Sequence, residues 1–191
     1  VTFHGPGIVR FNSEDLTDYT MTQFFKAIES GAPLGRIRAA SEKKWLNTFG
    51  PGKAEGELTG GNLSLLCASI GTPFEPDFKD KILLLEEVQT EPWLIDHNIS
   101  HLRNCGVLDQ VAGIVVGECK ECTPFKYNPG FYCDTGVEDI LEYYLSPLGI
   151  PVLHGLPLGH TEDIATLPIG VRVSLDGDNK KFEVLESGVQ P

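Results

Sequence analysis

The chain has 191 residues, 41% hydrophobic and 22% charged, which fits one large or two small soluble globular domains. Its 27 acidic residues against 15 basic ones give a net charge of -12. That balance argues against nucleic acid or an anionic membrane as the main partner, because phosphate binding needs a basic face, though it leaves room for a local basic pocket facing an acidic substrate. No apolar run approaches the ~18 residues of a membrane span, and the opening residues do not read as a signal peptide. The start at Val1 is expected for a piece cut from a longer protein.

Val1 to Arg10 reads as a short strand entering a Gly-Pro-Gly turn. Ser13 is the expected cap of a helix whose apolar positions Leu16, Tyr19, Phe24, Phe25 and Ile28 roughly follow helical spacing. Gly31-Ala32-Pro33 ends it. Residues 34 to 55 are mixed, with a turn at Gly50-Pro51-Gly52, and are expected to form a surface loop or hairpin carrying Trp45. Glu57 to Leu66 passes through the pair Gly60-Gly61 into an apolar helix. Ile82 to Leu85 is a continuous apolar strand of the kind buried on both faces. Leu94 to Cys105 carries a helical stripe of Leu94, Ile95, Ile99 and Leu102 and stops at Gly106. Val111 to Gly117 is a second buried strand, Val137 to Leu145 a helix, and Pro151 to Leu153 a third strand. Ala165 to Leu175 and Lys181 to Leu185 form a terminal hairpin around Asp176-Gly177-Asp178-Asn179. The alternation predicts an α/β domain with a mixed, mostly parallel sheet, flanking helices and an antiparallel edge.

Two places could carry chemistry. Glu86 and Glu87 follow a buried strand, and function collects at the carboxyl ends of strands in open α/β sheets. Successive strand residues point to opposite faces, so only one of the two should face a given site; two solvated carboxylates are the plainer alternative. His160 follows a Gly-Leu-Pro-Leu-Gly turn just ahead of an apolar run, a position suited to proton transfer. His97 and His101 have a spacing that can bind metal on a helix, but the flanking pattern is not His-Glu-x-x-His and a solvated face is expected. Gly60-Gly61-Asn62 could offer backbone N–H groups to an anion. No nucleophile elbow, phosphate loop or dinucleotide fingerprint is present. Of the five cysteines, Cys67 and Cys105 read as reduced thiols; Cys119, Cys122 and Cys133 remain open between a structural metal, a disulfide and plain loop thiols. The expected compartment is reducing and cytoplasmic.

Taken in order, several segments resemble one family. Gly56-Glu57-Leu58-Thr59-Gly60-Gly61-Asn62-Leu63 is similar to the Gly-x-Leu-x-Gly-Gly-Asn-Leu signature of the LD-carboxypeptidases. Gly71-Thr72-Pro73-Phe74, Leu84-Leu85-Glu86-Glu87-Val88, Ile95-Asp96, Gly106-Val107-Leu108, Gly113 to Gly117, Gly155 to His160 and Thr166 to Gly170 follow in the family's order. The resemblance covers nearly the whole chain. It implies the fold of that family's C-terminal domain, a swivelling β/β/α type, over residues 1–191. It also implies a Ser-Glu-His triad with Glu86 and His160 as two members. Glu87 stands where the family usually has aspartate.

The family's serine lies in an N-terminal domain shortly before a Phe-His-Gly-Pro stretch, which here is Phe3-His4-Gly5-Pro6; the serine domain is therefore expected to be missing from this chain. Gly61, Asn62 and Trp45 are the implied substrate-binding residues, and no metal or other cofactor is expected. The implied partners are a murein peptide, the protein's own N-terminal domain and a second copy in a homodimer. The implied activity is removal of the terminal D-alanine from murein tetrapeptides. The alternative is the microcin C immunity type, which cuts a peptide-nucleotide amide bond and in which Trp45 would stack on the base. Some of those proteins have a lysine four positions after the catalytic glutamate; Thr90 stands here, which favours the murein substrate. A non-catalytic binding or dimerisation module is the third reading, and the retention of both Glu86 and His160 argues against it.

Overall fold

The computed structural model describes residues 1–38, 45–124 and 135–189. One mixed sheet organises them, with the strand order β2 (Gly35–Ile37), β10 (Lys181–Val184), β9 (Arg172–Asp176), β4 (Lys53–Asn62), β5 (Ile82–Glu86), β6 (Gly113–Gly117), β7 (Val152–Leu156) and β3 (Asn47–Gly50). The four strands β4 to β7 run parallel to one another. The pairings on either side of that block are antiparallel, and β9 and β10 form the expected terminal hairpin. A separate two-stranded ladder joins β1 (Thr2–His4) to β8 (Leu167–Ile169). The α/β class read from the sequence is the observed class.

β5, β6 and β7 are buried along their full length. They need to be, because each face of the sheet carries an apolar layer. Leu83, Leu85, Ile114, Val116 and Val152 pack against the helices α2 (Leu63–Ser69), α3 (Pro92–Asn104) and α4 (Val137–Leu145). Ile82, Leu84, Val115 and Leu153 face the other way, toward Leu158, Leu167 and Ala27 of α1 (Asp18–Glu29). Alternation along β5 therefore hands successive side chains to opposite layers.

Some boundaries differ from the sequence-based expectation. α1 begins at Asp18 and not near Ser13, because Thr17 accepts the backbone N–H of Thr20 at 3.2 Å and so caps the helix. Ser13 instead ends a 3₁₀ turn over Ile8–Asn12, so the strand expected through Arg10 stops at His4. The pair Gly60-Gly61 closes β4 rather than opening a helix, and α2 starts only at Leu63 with Asn62 as its cap. The mixed stretch 34–55 contributes β2, β3 and the start of β4. The long run from Ala165 breaks at Gly170 into β8 and β9, which join different sheets. α4 has the limits read from the sequence.

Candidate active site

The parallel strands end together at Asn62, Glu86, Gly117 and Leu156, and the candidate residues gather there. Glu86 is in phase with Ile82 and Leu84 and turns to the layer that holds β1 and β8. Glu87 turns to the helices. Both carboxylates are buried, at 2% and 4% exposure, so the solvated alternative does not describe them.

The two carboxylates have separate work. Glu87 Oε1 accepts from the Asn62 side-chain amide at 2.9 Å and from the backbone N–H of Val88 at 3.0 Å. Its Oε2 accepts from the hydroxyl of Ser64 at 2.5 Å and from that residue's backbone N–H at 3.1 Å. Glu87 thereby ties the end of β5 to the start of α2. The Ser64 hydroxyl is committed inside this network, since it also accepts from Asn98 at 3.2 Å.

Glu86 sits between two imidazoles. Its Oε2 lies 3.0 Å from Nδ1 of His160, and its Oε1 lies 3.8 Å from Nε2 of His4. Burial pushes the Glu86 carboxyl up, but His4 and His160 hold it down, and the net position is below the usual value of 4.5. An ionised carboxylate can only accept, so Nδ1 of His160 carries the proton and donates it. Nε2 of His160 is then the free lone pair, and the His160 side chain is 58% exposed. A buried carboxylate orienting an exposed imidazole is the arrangement of a general base.

The loop that presents His160 is anchored from both sides. Ala165 N–H donates to the carbonyl of Pro157 at 2.8 Å, and Ile164 N–H donates to Oγ1 of Thr20 in α1 at 2.9 Å. Two glycines make room for the Glu86 carboxylate. A Cβ on Gly117 would come within 3.2 Å of the Glu86 Cβ, and one on Gly159 would come within 2.1 Å of Oε2. Gly159 also has φ +85, a left-handed conformation that favours glycine. Gly159→Ala should therefore both strain the loop and displace the carboxylate from His160. We expect a loss of about 2–4 kcal/mol of stability, read by urea unfolding. A change below about 0.5 kcal/mol would contradict this geometry.

Gly61 lies beside the His4 ring, 3.7 Å from where its own Cβ would be. The Asn62 amide is used internally: Oδ1 accepts from Leu65 N–H at 3.1 Å, capping α2, and Nδ2 holds Glu87. Trp45 is 86% exposed and lines a cavity of about 210 Å³ with Glu118, Glu138 and His154. That cavity shares no lining residue with the one of about 230 Å³ that holds His160. His97 is exposed on α3, and His101 contacts Cys105. Cys122 donates its backbone N–H to the carbonyl of Cys119 at 3.3 Å; Cys133 lies outside the described residues. Among the described residues no group of three or more His, Cys, Asp or Glu side chains is arranged to hold a metal ion. No helix among them is long and apolar enough to cross a membrane. The participation of His4 was not read from the sequence: it reaches the site through the pairing of β1 with β8, a long-range contact with no local signal.

Comparison with known proteins places this geometry. The family model described as the LD-carboxypeptidase C-terminal domain matches residues 55–175, which include Glu86 and His160. A Bacillus subtilis protein named "Probable murein peptide carboxypeptidase" is 36% identical over 99% of this chain and 57% of its own length. The microcin C7 self-immunity protein MccF of Escherichia coli is 28% identical over 97% of this chain and 59% of its own. Among solved structures, the muramoyltetrapeptide carboxypeptidase of Oxalobacter formigenes superposes with a TM-score of 0.78 at 30% identity, covering 97% of this chain and 61% of that one. An active site mutant of MccF superposes at 0.82 with 26% identity, covering 99% and 62%. The chain thus spans about three fifths of the length of these relatives.

Proposed function

Because the chain belongs to the LD-carboxypeptidase family and matches its C-terminal domain, we propose that it supplies the base and the orienting carboxylate of a serine-type carboxypeptidase acting on murein peptides. The carrying observation is the 3.0 Å contact from the buried Glu86 to the exposed His160. In this reading Nε2 of His160 takes the proton of a serine hydroxyl as that oxygen attacks the terminal amide carbonyl. It then passes the proton to the leaving D-alanine nitrogen. Glu86 keeps the proton on Nδ1 and stabilises the imidazolium that forms. In this reading the attacking serine is supplied from beyond the residues that line the cavity of His160.

The murein reading is preferred over the microcin reading because the identity to the murein peptide carboxypeptidase, 36%, exceeds that to the immunity protein, 28%. The test uses the full-length protein. It should release D-alanine from a murein tetrapeptide, detected by mass spectrometry, and a fluorophosphonate probe should label a serine outside residues 1–191. Hydrolysis of a peptide-nucleotide amide in place of the tetrapeptide would select the microcin reading. Activity on neither, or activity with no labelled serine, would overturn the assignment.

A further inference from the structure

His160 shares its cavity with an arginine. Arg10 lies in the 3₁₀ turn that follows β1 and lines the same space of about 230 Å³ as His160 and His4. Its Nη2 donates to the backbone carbonyl of Glu162 at 3.2 Å, which fixes the guanidinium to the loop that carries His160. Its Nε is buried and makes no hydrogen bond. None of the ion pairs among the described residues involves Arg10. The chain carries 27 acidic and 15 basic residues, so a guanidinium beside the base that joins none of these ion pairs stands out from its background. The side chain also borders a neighbouring cavity of about 460 Å³, together with Lys120 and the acidic Glu14, Asp15 and Glu162.

A buried N–H donor without an acceptor costs about 1–3 kcal/mol, and a planar guanidinium is shaped to meet a carboxylate through two parallel hydrogen bonds. A peptidase that trims one terminal residue must recognise the free carboxylate one residue beyond the scissile carbonyl. One residue spans at most about 3.6 Å, so the recognising cation has to stand next to the base. We propose that Arg10 binds the terminal carboxylate of the substrate and thereby confines cleavage to the last peptide bond. This rests on the peptidase reading of His160. Arg10 lies outside the matched segment 55–175, and the assignment follows from its place in the cavity.

The test compares the full-length protein on two substrates, a murein tetrapeptide ending in D-alanine and the same peptide as its C-terminal carboxamide. Wild-type kcat/KM should favour the free acid by at least about 100-fold. Arg10→Met should lower the free-acid value by about 100- to 1000-fold and leave the carboxamide within about threefold, so that the preference collapses. Arg10→Lys, which keeps the charge but loses the fork, should retain part of the preference and decides the matter if the methionine variant does not fold. A preference that stays at the wild-type value in either folded variant overturns the role of Arg10. Equal loss on both substrates, with melting temperature unchanged, overturns it as well. Failure of the wild type on both substrates is the separate result that removes the peptidase reading itself.

Discussion

Replacing His160 with alanine in the full-length protein should lower turnover of a murein tetrapeptide by about 10⁶-fold. That is the scale of loss when the base of a serine-histidine-carboxylate unit is removed and only binding and oxyanion stabilisation remain. The change should leave folding intact. His160 is 58% exposed, its ring fills no core cavity, and its loop is held by backbone contacts on either side. Melting temperature should therefore stay within about 2 °C of wild type, since an exposed substitution is typically worth under 0.5 kcal/mol. Residual activity above about 1% would show that Nε2 of His160 does not carry the proton, against the scale expected for a triad base.

Glu86→Gln should cost about 10⁴-fold in kcat with little change in KM. The amide is nearly isosteric, but its NH2 would donate to Nδ1 and move the imidazole proton to Nε2, the atom that must be free. The same substitution has a signature in stability. The folded carboxyl of Glu86 lies below its usual 4.5. A group whose folded pKa is depressed contributes stability that is present above the unfolded value and lost as pH falls through the folded one. Wild type should therefore lose part of its unfolding free energy below about pH 4.5, and Glu86→Gln should show a flatter profile there. Parallel acid profiles, with kcat falling less than about tenfold, would mean that the contact with His160 is structural.

The sequence made some of this legible and hid the rest for identifiable reasons. α4 was readable to the residue because a clean apolar face sits between Gly136 and the Ser-Pro step that follows Leu145. The start of α1 was misplaced because Ser13 and Thr17 are both acceptable caps, and only the hydrogen bond to Thr20 distinguishes them. Gly60 and Gly61 look like a helix approach in one dimension, yet they end a strand whose partner, β5, is more than twenty residues away. The strand-end placement of Glu86 and the turn before His160 were visible, and their 3.0 Å contact spans a sequence separation of 74 residues. Which of Glu86 and Glu87 faces His160 depended on the phase of β5, and an unbroken apolar run carries no phase. His4 and Arg10 were invisible as neighbours of His160 because β1 pairs with β8 across the length of the chain.

The division of labour between Glu86 and Glu87 bears on how β5 finds its place. Ile82 to Leu85 would fit the core in either of two alignments, since every side chain is apolar and both faces are greasy. A slip by one residue would turn each carboxylate to the opposite face. Glu87 would then leave Asn62 and Ser64 and Glu86 its imidazoles, and only one of the two could land in the other's place, leaving at least one buried charge without its partners. A buried charge stripped of its partner costs about 3–5 kcal/mol. The slipped alignment is therefore disfavoured, and the carboxylate placed beside His160 also weighs toward the native register of β5.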